Sequence, residues 1–144
     1  MTIRSWLPAI LLAPLMAGCV NDSASYQNEN GNQILTLVRQ QRWLWEKKVE
    51  ASMVVSRLPE CQRRHKMGLI SPQARVELWQ PGPGTFLVLQ GRNLYLTEVQ
   101  TCEGWEKQDA EPPGGMGQRL GIFQSKGGDL RFIPDAPEQP AGRR

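Results

Sequence analysis

Apolar positions in this chain come in short clusters broken by glycine, proline and polar residues, and the spacing inside each cluster suggests an element. From Gln33 to Lys48, Ile34, Leu37, Val38, Gln41 and Trp45 recur at three- and four-residue steps, with Arg39, Gln40, Arg42 and Lys47 between them. That spacing predicts a helix ending near Arg42 or Trp45, with Asn32 as its N-cap. Trp43, Leu44 and Trp45 are consecutive and also suit the start of a strand; they read as core or docking surface. Over Val49–Leu58, residues Val49, Ala51, Met53 and Val55 alternate with Glu50, Ser52 and Ser56, a strand pattern that Pro59 stops.

The clearest signal follows. Arg75–Gln80, Thr85–Gln90 and Leu94–Cys102 are rich in β-branched and aromatic residues, and Pro81-Gly82-Pro83-Gly84 and Gly91-Arg92-Asn93 separate them. They predict a three-stranded antiparallel meander. Its middle run is apolar at nearly every position, so both faces need cover, one of them from the 33–45 helix. Glu103–Gln118, with Pro112-Pro113-Gly114-Gly115, reads as a long loop. Arg119–Gln124 and Asp129–Ile133 flank Gly127-Gly128 as a hairpin. The fold expected is mostly β (α+β): a small antiparallel sheet, sandwich or partly open barrel of about six strands with one N-terminal helix.

Polarity marks the ends. Asn21–Asn32 is polar and lacks periodicity, which reads as a flexible tether, and 134–144 as a disordered tail, leaving 33–133 as the globular domain. Ahead of the tether, Arg4 is followed by an uncharged run from Trp6 to Ala17, too short to span a bilayer and interrupted by Pro8 and Pro14. A basic start, a short apolar stretch and small residues at its end read as a cleaved signal peptide over 1–18.

The end of that stretch, Leu15-Met16-Ala17-Gly18-Cys19, resembles the lipobox of bacterial lipoproteins, with Met16 where leucine is usual. The resemblance implies cleavage before Cys19, a diacylglyceryl thioether on its sulfur and an acylated amine. Acyl chains in that number anchor a protein stably. By the same resemblance Val20, where some family members carry aspartate, favours the outer membrane, facing the periplasm. The chain is similar in general character to small proteobacterial envelope lipoproteins.

Lipid on Cys19 resolves an odd cysteine count of three: Cys61 and Cys102 remain as a pair in an oxidising compartment, where a disulfide is expected. A metal or redox site could draw on Cys61, His65, Glu60, Cys102 and Glu103, but there is no tight ligand pair and no CxxC, so no metal and no cofactor are expected. Cys61–Lys66 (CQRRHK) is a basic run. Arg63, Arg64, His65 and Lys66 could meet an anionic lipid, a peptidoglycan carboxylate or an acidic protein, or form a solvated face.

Composition narrows the function. The 144 residues suit one domain. A net charge of +3, reduced once Arg4 leaves, argues against nucleic acid. No nucleophile elbow, P-loop or Rossmann glycine pattern occurs, and one histidine gives little purchase for a triad. The expectation is therefore a non-enzymatic, membrane-anchored interaction or assembly module with an envelope protein as partner. One alternative is a glycan- or ligand-binding or enzyme-inhibitor lipoprotein, since lysozyme-inhibiting lipoproteins share the small disulfide-bearing β architecture. Another is an enzyme using His65 with Glu60 or Glu103.

Overall fold

The computed structural model describes residues 20–136. The segment expected as a signal peptide, Cys19 and all but the start of the expected tail lie outside them. The described residues are all-β. Strands β1 (Asn21–Gln27), β2 (Gln33–Gln40), β3 (Val49–Arg57) and β4 (Cys61–Ile70) form a four-stranded antiparallel meander. Strands β5 (Val76–Gly82), β6 (Thr85–Gln90), β7 (Asn93–Glu98), β8 (Trp105–Gln108), β9 (Gln118–Lys126) and β10 (Asp129–Pro134) form a second antiparallel sheet in the order β10-β9-β5-β6-β7-β8. One core joins them: Leu35, Leu37, Met53 and Val55 from the first sheet meet Val76, Leu78, Phe86, Val88 and Phe123 from the second.

Three expectations are corrected here. The segment expected as a helix over 33–45 is strand β2 followed by an irregular connection, and no helix occurs among the described residues. A short apolar cluster fits both periods, and pairing decided between them. Thr36 lies between Ser25 and Val54 in register, and the strand has partners on both sides from Ile34 to Gln40. Alternation then sends Leu35, Leu37 and Arg39 inward and Ile34, Thr36 and Val38 outward.

The second correction is the tether. Asn21–Gln27 is not free coil but β1, paired to β2 residue for residue from Asn21↔Gln40 to Gln27↔Ile34. Its polar composition is that of a strand with one face in water. Ser23, Ser25 and Gln27 point out, while Ala24 and Tyr26 pack on the core, Tyr26 edge-on to Phe86 and Phe132 at 6.0 and 5.6 Å between ring centroids. The first sheet therefore includes Asn21–Gln27 instead of starting near residue 33. Third, the strand count rises to ten among the described residues. β4 grows from the basic run and β8 from the start of the expected 103–118 loop.

The meander's second face is also covered differently. Gln108 pairs with Leu94 at one end of the sheet and Gln118 with Gln80 at the other, so the 109–117 loop crosses the outer face from end to end. Leu87, fully buried yet outside the core cluster, lies on that face. Gly117 holds the loop down. It sits at φ +76, a left-handed conformation that favours glycine, and a β-carbon there would collide with the Gln80 carbonyl oxygen.

The sheets meet at both edges. At the β1–β10 corner, Arg39 is 1% exposed. Its Nε and Nη2 donate to the two Asp22 carboxylate oxygens at 2.9 and 2.7 Å, and its Nη1 donates to the Pro72 carbonyl at 2.6 Å and to Ser125 Oγ at 2.8 Å. Asp22 Oδ2 also accepts the Leu130 N–H. At the β4–β8 corner the closure is covalent and aromatic, as described next.

Candidate functional site

Cys61 opens β4, and Cys102 sits in the turn after β7. Their sulfurs are bonded, with Cα atoms 5.9 Å apart, giving the disulfide expected from the cysteine count. Cys102 holds φ at +61, which a non-glycine residue adopts only when its surroundings impose it. Two contacts do so here. His65 Nε2 hydrogen-bonds to the Cys102 carbonyl at 2.8 Å, and Glu98 ties the turn by accepting from Thr101 N–H (2.8 Å), Thr101 Oγ1 (2.6 Å) and Gly104 N–H (3.1 Å). The His65 ring stacks on Trp105 at 5.1 Å, and Trp105 stacks on Tyr95 at 4.9 Å, so three rings bridge β4, β8 and β7.

This corner divides the basic run. Strand alternation turns Arg63 and His65 toward the disulfide, while Arg64 and Lys66 face solvent opposite Val54 and Ser52. Arg63 pairs with Glu103 at 3.2 Å, both side chains largely exposed. The four residues are therefore not one patch. Glu103 is engaged with Arg63, and the two thiols expected as alternative metal ligands are joined to each other. Among the described residues no three His, Cys, Asp or Glu side chains converge in a way that could hold a metal ion.

Two carboxylates respond to acid. Burial pushes the Asp22 carboxyl up, but the Arg39 guanidinium and the Leu130 N–H outweigh it, and the net shift is down from 3.8. Burial likewise opposes ionisation of Glu98, and the Thr101 and Gly104 donors outweigh it, bringing it down from 4.5. A carboxylate whose folded pKa is depressed stabilises the fold above its unfolded value and loses that contribution as pH falls through the folded one. The urea midpoint is accordingly expected to hold steady above about pH 5 and to fall at lower pH. Asp22→Asn should flatten part of that fall, read by urea titrations across the acid range.

Two further surfaces stand out. The outer face of the larger sheet carries Trp79, Leu87, Leu89, Leu94, Leu96 and Ile122, and the 109–117 loop covers only part of it. On either side of Leu89 lie clefts of about 300 and 460 Å³. The smaller runs under the loop between Trp79, Leu94 and Met116, with Arg92, Asp109 and Glu111 at its rim. The Trp79 indole N–H is buried and has no acceptor among the described residues. A buried donor without a partner is costly, and a ligand that supplied an acceptor would recover that cost.

The other surface is the β2–β3 connection, 41–48. Trp43, Leu44 and Trp45 are 56%, 63% and 78% exposed, and the two indoles stack at 5.6 Å. They are neither helix nor core. Gln41 fastens this tip to the start of the described chain. Its N–H donates to the Val20 carbonyl (2.8 Å), its Oε1 accepts the Val20 N–H (3.1 Å), and its Nε2 donates to the Glu46 carbonyl (2.7 Å). Sequence alone leaves core and docking surface both open for the two tryptophans. The clefts beside Leu89 had no sequence signal beyond the unbroken apolar run of β6. Compared with family models, curated proteins and solved structures, this chain matches none.

Proposed function

We propose that this chain is a lipid-anchored envelope protein whose β domain is a non-enzymatic interaction module, binding an envelope protein through the partly covered outer face of its larger sheet. The observation that carries the reading is that face: an apolar stripe through Trp79, Leu87, Leu89, Leu94 and Leu96 bordered by Glu77, two open clefts, and the unpartnered Trp79 N–H. Apolar surface left open beside a polar rim is the usual mark of a binding site. The lipobox-like Leu15–Cys19 supports the anchored location, and Val20 the outer membrane. His65, the one histidine, spends a ring face on Trp105 and a nitrogen on the Cys102 carbonyl, which favours a structural role over an acid–base one.

The test is a pull-down of the full chain from crosslinked cell envelopes, set against a Leu89→Glu variant that places a charge in the stripe. A partner recovered reproducibly with the wild type, and lost with Leu89→Glu while the circular dichroism is unchanged, supports the reading. Equal recovery by both, or no reproducible partner, overturns it.

A further inference from the structure

Four of the five exposed large hydrophobic residues among those described gather at one end of the domain. Trp43, Leu44 and Trp45 form the tip, and Leu69, 44% exposed, lies opposite Glu50 at the base of β3. The register places the other connections of this end. Val49↔Ile70 sets the 71–75 turn beside the tip, and Val76, paired with both Gln90 and Phe123, brings the 91–92 and 126–129 turns to the same end. These segments and the adjoining start of the 109–117 loop carry exposed Arg42, Lys47, Lys48, Arg75, Arg92 and Lys126 against Glu46, Glu50, Asp109, Glu111 and Asp129. Arg42 lies 3.7 Å from Glu46 and 3.6 Å from Glu50, while Lys47 and Lys48 have no carboxylate within salt-bridge distance among the described residues. Among the described residues the opposite end leans the other way: Glu29, Glu60, Glu98, Glu103 and Asp135 against Arg57, Arg63, Arg64 and Arg119.

We propose that this end is a membrane-docking surface: Trp43, Leu44 and Trp45 insert at the interface of an anionic bilayer, and the surrounding cations meet its headgroups. The inference rests on the anchored reading above. Cys19, the expected lipid-bearing residue, is the neighbour of Val20 in sequence, and one residue of chain reaches no more than about 3.6 Å. With β1 in place of a tether, no spacer separates the acyl chains from the folded domain. Gln41 binds Val20 to the tip, so an anchor at Cys19 brings the tip to the membrane with it. Tryptophan favours the bilayer interface because its ring is apolar and its N–H is polar. Each lysine or arginine held near an anionic surface multiplies affinity about fivefold. The acidic end then points away from the membrane. A protein in place of the bilayer would have to reach the tip within the width of the anchor itself.

The experiment uses the full chain produced in a bacterial host, with its mass read for lipidation, and mixed into phosphatidylethanolamine–phosphatidylglycerol vesicles whose acyl chains carry bromine. Bromine quenches only tryptophans that reach the bilayer. Wild-type emission is expected to be quenched, and Trp43→Ser with Trp45→Ser to remove the quenching, since Trp79 and Trp105 sit on the body of the domain. Lys47→Glu with Lys48→Glu, which leaves every tryptophan in place, is expected to weaken it. Circular dichroism checks the fold of each variant. Quenching that is absent, or equal in wild type and the tryptophan variant, overturns the docking surface. A mass without lipid overturns the anchored reading instead, and the difference in quenching between that unlipidated chain and its Trp43→Ser, Trp45→Ser variant, which share Trp6, still decides for or against the tip.

Discussion

Arg39→Ala is expected to destabilise the domain by about 3–5 kcal/mol, the range for removing one member of a buried ion pair. The size follows from what Arg39 leaves behind. Asp22 would lose a bidentate partner, keeping only the Leu130 N–H, and Pro72 and Ser125 would each lose a donor. These groups belong to β1, the 71–75 turn, β9 and β10, so one side chain closes the corner between the two sheets. A domain whose total stability lies near 5–15 kcal/mol would lose a large part of it. Urea unfolding of the variant should show the midpoint fall. Replacing both partners together, Asp22→Leu with Arg39→Met, should recover much of the loss, because an apolar pair leaves no charge stranded. A loss under 1 kcal/mol for Arg39→Ala would mean that water replaces the guanidinium and that the corner is not closed as described.

The second large effect is at the other corner. Cys61→Ala with Cys102→Ala is expected to cost about 4 kcal/mol, from the chain entropy that a link across a sequence separation of 41 removes from the unfolded state. Freed of the link, Cys102→Ala must hold its positive φ with the His65 and Glu98 contacts alone, which adds to the cost. Urea titrations of wild type with and without reductant, beside the double variant, give the measurement. Reduced wild type and the double variant should unfold at similar midpoints, both well below the oxidised protein. Coincident curves for all three would show that the stacked rings of His65, Trp105 and Tyr95 close the corner without the bridge.

The meander from β5 to β7 and the β9–β10 hairpin were legible because glycine and proline clusters mark their turns, and turn chemistry is local. The cysteine pair was legible because counting needs no geometry. β1 and β2 depart from the sequence expectation for one shared reason. A polar strand and a short apolar run acquire their conformation from each other, since β1 has few apolar contacts of its own and β2 fits two periods. Their pairing is a long-range fact that neither segment carries alone. For the basic run Arg63–Lys66 the sequence leaves a binding patch and a solvated face both open, because adjacency hides the alternation that sends neighbours to opposite faces.

The candidate surfaces divide along the same line. Composition, turn residues and the Cys61–Cys102 pair are readable from residue types and spacing, because each depends on chemistry within a few positions or on simple number. Burial of Arg39 with Asp22, passage of the 109–117 loop over Leu87, and the gathering of Trp43, Leu44, Trp45 and Leu69 beside Val20 depend on which strands pair and in what register. Those choices are made by cooperative burial across the whole domain, where a contact between residues 22 and 130 counts as much as one between neighbours.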